Sequence, residues 1–290
     1  MGFSHFWAVV PFLFLVVTLT STASPTPPSA HRGVEYGEAG GQRLLMDYQV
    51  PAGKGPFPAV VVVHGGGWIT GDRRSNVEPL LAPMTQAGMA WFSISYRLAN
   101  DAVMFGAAIT DVVQAVEHVR AHAAEYDIDP SRIALAGESA GAQLASMAAL
   151  SPQLKGMVKG VVALYSPSDL VTLAKTSDRI PPQWRKAVEN TAWAGFILAG
   201  LERLSPLYNV RPDMPPFLLI HGTADRLVPF SQSERMCAKM HDVGASCELF
   251  AVKGGGHGLR WWESERGLTA YKPVMIAWLE RTLNGQHAAE

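Results

Sequence analysis

At 290 residues, with 48% hydrophobic and 17% charged content, the chain has the composition of one large globular domain and excludes general disorder. A formal net charge of −1 gives no field that would attract nucleic acid or anionic lipid. No Cys/His cluster has metal-ligand spacing, so no metal, cofactor or nucleic-acid partner is expected.

Phe6 to Leu19 is apolar apart from Thr18, too short to cross a bilayer comfortably, and small residues follow at Ser21-Thr22-Ala23. A Pro/Ser/Thr-rich stretch then runs from Ser24 to Ala30. The pattern reads as a signal peptide over 1–23 and a flexible linker over 24–32, ahead of a folded domain over 33–286. The expected location is secreted or periplasmic, with no membrane span in the mature chain. Met1 to His5 contains no Lys or Arg, so an uncleaved anchor is the alternative.

Val34-Glu35-Tyr36 and Arg43 to Val50 suit an antiparallel pair turning through Ala39-Gly40-Gly41. Ala59 to Val63 is a continuous run of the kind that parallel sheets bury on both faces. It empties into His64-Gly65-Gly66-Gly67-Trp68, where backbone N–H groups can turn inward without side-chain obstruction. A helix within Asn76–Ala87, stopped by Gly88, precedes a strand from Ala90 to Ser95. A longer helix, about Ala102 to Ala124, carries Ile109, Val112, Val113, Val116 and Val119 at helical spacing.

Asp129-Pro130-Ser131 turns into an apolar strand, Ile133 to Ala136, which enters Gly137-Glu138-Ser139-Ala140-Gly141 and leaves in an Ala/Leu/Met helix running to Leu150. Strand, sharp turn and helix are the context of a nucleophile elbow, with the serine hydroxyl exposed above the sheet. Val158 to Leu164 is the next strand. Residues 166–209, containing Trp184, Trp193 and a helical stretch near Lys186–Leu201, interrupt the alternation and read as a lid or pocket wall. Strand Phe217–Ile220, helix Ser231–Val243, strand Glu248–Val252 and a last helix from Gly267 to Leu283 complete a doubly wound, mostly parallel sheet. Cys237 and Cys247, ten residues apart, read as a disulfide if the chain is exported, or as two buried free thiols.

Ser139, Asp225 and His257 follow in the order nucleophile, acid, base, each just beyond a predicted strand. A serine hydroxyl attacks well only if a neutral imidazole takes its proton and a carboxylate fixes that imidazole's tautomer. His64 is expected to support the glycine loop by a hydrogen bond, and His221 to be a satisfied core histidine. Asp225 is preferred as acid over Asp169 and Asp213, with Asp169 the fallback. Trp68, Trp184 and Trp193 are candidates for a substrate pocket, together with Trp261 and Trp262, although aromatics in such segments more often pack the core.

His64-Gly65-Gly66-Gly67-Trp68, Gly71-Asp72, Tyr96-Arg97-Leu98, Asp129-Pro130-Ser131-Arg132-Ile133, Gly137 to Gly141, Ser205-Pro206-Leu207, His221 to Asp225 and Gly256-His257-Gly258 together make the chain resemble the α/β-hydrolase superfamily. Within it the chain is similar to hormone-sensitive-lipase-like esterases and to the acetyl/feruloyl esterase group. The resemblance covers roughly residues 33 to 285. It implies an α/β-hydrolase fold and oxyanion donors at the backbone N–H groups of Gly66, Gly67 and Ala140. Only a short tether precedes the first strand here, a departure from the N-terminal helical cap of the lipase-like enzymes that favours the capless group. The activity expected is hydrolysis of short acyl or arylacyl esters, small or carbohydrate-borne, through an acyl-enzyme on Ser139. Amide hydrolysis of the arylformamidase or peptidase kind by the same triad, and a non-catalytic binding role, are the alternatives.

Overall fold

The computed structural model describes residue 2 and residues 30–100, 106–176, 193–265 and 267–286. The expected signal peptide and most of the expected linker lie outside the described residues, as does Trp184. One sheet organises the rest. Its strands are β1 (His31–Ala39), β2 (Gln42–Gln49), β3 (Phe57–Val63), β4 (Ala90–Ile94), β5 (Ile128–Glu138), β6 (Val158–Leu164), β7 (Phe217–Gly222) and β8 (Cys247–Val252). They lie in the order β1-β2-β4-β3-β5-β6-β7-β8. β1 pairs antiparallel with β2 and β2 antiparallel with β4, and every later pairing is parallel.

β3 shows why a uniform apolar run forms a central strand. Ala59, Val61 and Val63 project into one core, while Val60 and Val62 project into the other, so the two-residue period sends neighbours to opposite faces. The first face is covered by α2 (Ala107–Ala121), α3 (Ala140–Ala149) and α6 (Ser231–Asp242), through Val112, Val116, Leu144 and Met236. The second is covered by α1 (Glu78–Gln86) and α8 (Tyr271–Leu283), through Leu80, Met84, Met275 and Trp278. After β6 come α4 (Leu170–Thr176) and α5 (Ala194–Arg203), the described parts of the expected insertion. A short α7 (Leu259–Ser264) follows the last strand.

The structure corrects the sequence reading in three places. β1 starts at His31, so 31–32 belong to the sheet: His31 stacks on Tyr48 and Arg32 pairs with the buried carboxylate of Asp47. The expected turn at Asp129–Ser131 is an irregularity inside β5, where pairing with β3 jumps from Phe57–Ile128 to Ala59–Ile133. Ser131 N–H donates to Asp129 Oδ1 at 2.8 Å there, giving the backbone a local partner while it leaves register. The final helix starts at Tyr271 rather than Gly267, whose left-handed φ of 89° breaks the chain from α7. Cys237 in α6 and Cys247 at the start of β8 form a disulfide, Cα–Cα 5.4 Å.

A pair of glycine substitutions separates crowding from helix propensity. Gly141→Ala would drive a Cβ into the Val63 and His64 carbonyls, and should cost about 2 kcal/mol or more. Gly200→Ala, in α5 with open space around the new methyl, should be neutral or stabilising by up to about 1 kcal/mol. Denaturant midpoints of the two variants against wild type decide the matter; equal midpoints would mean that the backbone approach at Gly141 is not tight.

Candidate active site

The site forms where β5 ends. Glu138 is the last strand residue, Ser139 turns with φ 53° and ψ −122°, and Ala140 opens α3. A left-handed φ at a serine is costly and persists only where the surroundings dictate it. Here a Cβ on Gly137 would overlap the Gly141 carbonyl, so strand and helix can cross only with glycine on both sides of the serine. Ser139 N–H donates to Leu164 O of β6 at 2.9 Å, fixing the turn to the sheet.

Ser139 Oγ lies 2.9 Å from His257 Nε2, and His257 Nδ1 lies 2.6 Å from Asp225 Oδ2. Asp225 follows β7 and His257 follows β8, so parallel strands deliver all three to one sheet edge. Asp225 Oδ1 accepts the N–H groups of Leu227 and Val228 at 2.8 and 2.9 Å. Burial alone would push this carboxyl up, but hydrogen bonds from His221 and His257, the attraction of His257 whenever it is protonated, and the Val228 N–H hold it well below the usual carboxylate range. An ionised Asp225 requires Nδ1 of His257 to carry the proton. Nε2 then faces the serine with its lone pair, and the set is arranged to activate a hydroxyl.

Beside Ser139 opens a cavity of about 350 Å³ whose walls include Gly66, Gly67, Asn76, His257, Arg260 and Trp261. The N–H groups of Gly66 and Gly67 make no backbone hydrogen bond among the described residues. Ala140 N–H belongs to the first turn of α3, which has no intrahelical acceptor for it. His64, fully buried, stacks on Tyr96 and donates from Nδ1 to Gly65 O at 2.7 Å, a bond inside the glycine loop. Burial lowers its imidazole to about 4.

The other candidates lie elsewhere. Asp169 is bound by Thr172 and by Arg235 at 2.7 Å, and Asp213 pairs with Lys155 and Arg211; neither meets His257. His221 is buried as expected, bonded to Ser233 Oγ and Val228 O, yet its Nε2 also stands 3.4 Å from Asp225 Oδ2. Trp68 donates to Gln143 Oε1 at 2.9 Å and walls a second, apolar cavity of about 320 Å³ with Leu170, Leu173, Ile197, Leu201 and Leu204. Trp193 is 70% exposed at the start of α5 and lines neither cavity, Trp261 borders the cleft, and Trp262 is core. Glu138 escaped the sequence reading, although a carboxylate ending an apolar strand beside the motif serine was the available signal. It accepts Gly65 N–H at 2.6 Å. Among the described residues no three His, Cys, Asp or Glu side chains converge as metal ligands.

A doubly wound sheet with a strained serine at the β5–α3 turn and an Asp–His pair reaching it from β7 and β8 defines an α/β-hydrolase. The chain belongs to the BD-FAE family, whose model matches residues 46–240. That match stops short of His257, so the base is read from the geometry. Among curated proteins the chain is 30% identical to esterase LipQ of Mycobacterium tuberculosis, over 80% of this chain and 59% of LipQ. It thus spans little more than half the length of the curated relatives it matches. Among solved structures it is similar to a truncated carbohydrate esterase from gut microbiota, with TM-score 0.74 and 25% identity over 90% of this chain and 99% of that one. It shares its fold with the Est2 esterase of Thermogutta terrifontis, with TM-score 0.71 and 24% identity over 90% and 94% of the two chains.

The buried His64 gives a pH test. Unfolded, it takes a proton near ~6.5; folded, it resists protonation down to about 4, so the unfolded state binds more protons in that window. Stability should therefore fall as the pH drops through it, by up to about 3 kcal/mol from this group. His64→Asn should flatten that dependence. Denaturant titrations across the window, with parallel slopes for both proteins, would show that His64 does not carry it.

Proposed function

We propose that this chain is a serine carboxylic ester hydrolase working through an acyl-enzyme on Ser139. The observation that carries the reading is the unbroken relay Ser139 Oγ–His257 Nε2–His257 Nδ1–Asp225 Oδ2 at the mouth of a cleft bordered by Gly66 and Gly67. Ser139 Oγ attacks the ester carbonyl carbon as its proton passes to His257 Nε2. The negative charge forming on the carbonyl oxygen is met by the N–H groups of Gly66, Gly67 and Ala140. His257 then gives its proton to the departing alkoxide, leaving the acyl group on Ser139. A water deprotonated by His257 attacks that acyl-serine, releases the acid and restores the serine. The names of the relatives, LipQ an esterase and LipM a probable carboxylic ester hydrolase, support ester hydrolysis for this chain.

The substrates proposed are short acyl or arylacyl esters, small or carbohydrate-borne. Both cavities, about 350 and 320 Å³, fall at the low end of the ~300–1,000 Å³ range of ligand pockets, which suits compact groups rather than long chains. The similar carbohydrate esterase supports a sugar-borne ester. Export is proposed from the apolar leader pattern, and the Cys237–Cys247 disulfide supports an oxidising compartment. The mass of the mature chain from its native host would test that; an intact Met1–Ala23 segment would refute cleavage.

Ser139→Ala and His257→Ala should each lower kcat by about a thousandfold or more, and the double variant should be little worse, because the pair acts as a unit. Asp225→Asn should cost less. Equal turnover by Ser139→Ala and wild type would reject the nucleophile. Along p-nitrophenyl acetate, butyrate, octanoate and palmitate, kcat/KM should stop rising after the first few carbons, since each further methylene contributes about 0.8 kcal/mol only where it is buried. A steady climb to palmitate would reject the short-chain proposal.

A further inference from the structure

The relay leaves unused one buried carboxylate on the wall of the cleft. Glu138 is 4% exposed, lies one residue before Ser139, and shares the wall of the same cleft. Its Oε1 accepts the N–H of Gly65, the residue that opens the glycine loop, at 2.6 Å. The loop is shaped around it, since a Cβ on Gly65 would overlap the carboxylate. The Tyr165 hydroxyl accepts Leu259 N–H at 3.0 Å and stands close enough to Glu138 to favour its ionised form. Leu259 stands two residues beyond His257, and the Tyr165 ring lies edge-on to the His257 imidazole with centroids 4.7 Å apart. One side chain therefore joins the glycine loop, the elbow, the end of β6 and the loop that carries the base.

We propose that Glu138 is a positioning residue: ionised, it holds the Gly65–Gly67 loop and the His257–Leu259 loop at fixed spacing across Ser139, and with Asp225 it stabilises the imidazolium that forms on His257. The proposal rests on the ester-hydrolase reading above. The groups facing His257 are Asp225 with His221 behind it, Ser139, Tyr165 and Glu138, and Arg260 lines the same cleft. Glu138 adds a second negative charge to that of Asp225, against the positive charge of Arg260. Burial raises its carboxyl, while the Gly65 N–H, the Tyr165 hydroxyl and the charge on His257 draw it back. Carboxylate and imidazolium thus favour each other's charged forms. As Ser139 hands over its proton, the charge appearing on His257 meets two fixed anions in place of one.

The test separates charge from bridge. Glu138→Gln keeps the size and an oxygen for Gly65 N–H but removes the charge. Its kcat should fall about tenfold with KM little changed. The acid limb of its pH profile should move down by about half a unit or more, because an imidazole that loses a nearby anion gives up its proton more readily. Glu138→Asp keeps the charge one methylene short of Gly65, so it should lose kcat while the acid limb stays at the wild-type pH. The limb is read twice, in ester turnover and in the rate of organophosphonate labelling of Ser139. If wild type labels but hydrolyses no ester, the esterase reading fails, and the labelling limb still judges Glu138. An unmoved limb in Glu138→Gln, or equal displacement in Glu138→Asp, would overturn the proposal. If Glu138→Gln does not fold, a displaced limb in Glu138→Asp overturns it alone.

Discussion

Strand β5 and helix α3 approach so closely that no side chain fits between them, and the rest of the site depends on that contact. A Cβ at Gly141 would meet the carbonyls of Val63 and His64, which belong to the end of β3 and the start of the glycine loop. The same crowding that holds Ser139 at a φ of 53° therefore also fixes where the glycine loop leaves the sheet. Ser139 and the proposed oxyanion donors are located by one packing event, and neither can drift without the other. Gly222 repeats the device between Asp225 and His257. A Cβ there would overlap the Gly255 carbonyl, and Ala224 N–H bonds to that carbonyl at 2.9 Å, clasping the loop of Asp225 to the loop of His257.

The two buried carboxylates next to this framework are handled in opposite ways. Asp225 receives two backbone N–H groups and two imidazoles, enough to overcome burial and keep it charged. Glu138 receives fewer donors in a deeper setting, so burial raises its carboxyl, while the Gly65 N–H and the charge on His257 favour the ionised form on which its proposed role rests. Under the proposed mechanism this contrast is useful. The carboxylate that fixes the tautomer has to be charged throughout, whereas the other gains most when charge appears on the ring.

Much of this was legible in the sequence. The alternation of apolar runs with helical spacing located the sheet, and the order Ser139, Asp225, His257 placed three side chains that the structure does bring within hydrogen-bonding distance. What escaped reading depends on tertiary partners. His221 looked like a core histidine and is one, but its contact with Asp225 arises because the chain after β7 folds back over the strand end. Asp129–Ser131 has turn chemistry, and only pairing with β3 turns it into an irregularity within a strand. Glu138 drew no notice because its neighbours, Gly65 and Tyr165, are remote in sequence and meet it only once β3, β5 and β6 lie side by side. Trp193, an aromatic in an insertion, offered no local sign that it would face solvent.

Among the described residues β8 is the outer strand at one end of the sheet, hydrogen-bonded only to β7, and such strands are prone to peel away or to recruit other chains. Here the first residue of that strand is covalently tied to α6 by Cys237–Cys247, and Glu248 beside it is paired with Arg281 of α8. Since His257 sits a few residues past the far end of β8, fraying of this margin would carry the imidazole off the serine before the core was disturbed. The cross-link thus guards against a quiet form of inactivation, in which the protein stays folded but its margin has come undone, and it lowers the chance that one molecule pairs with another through that open edge.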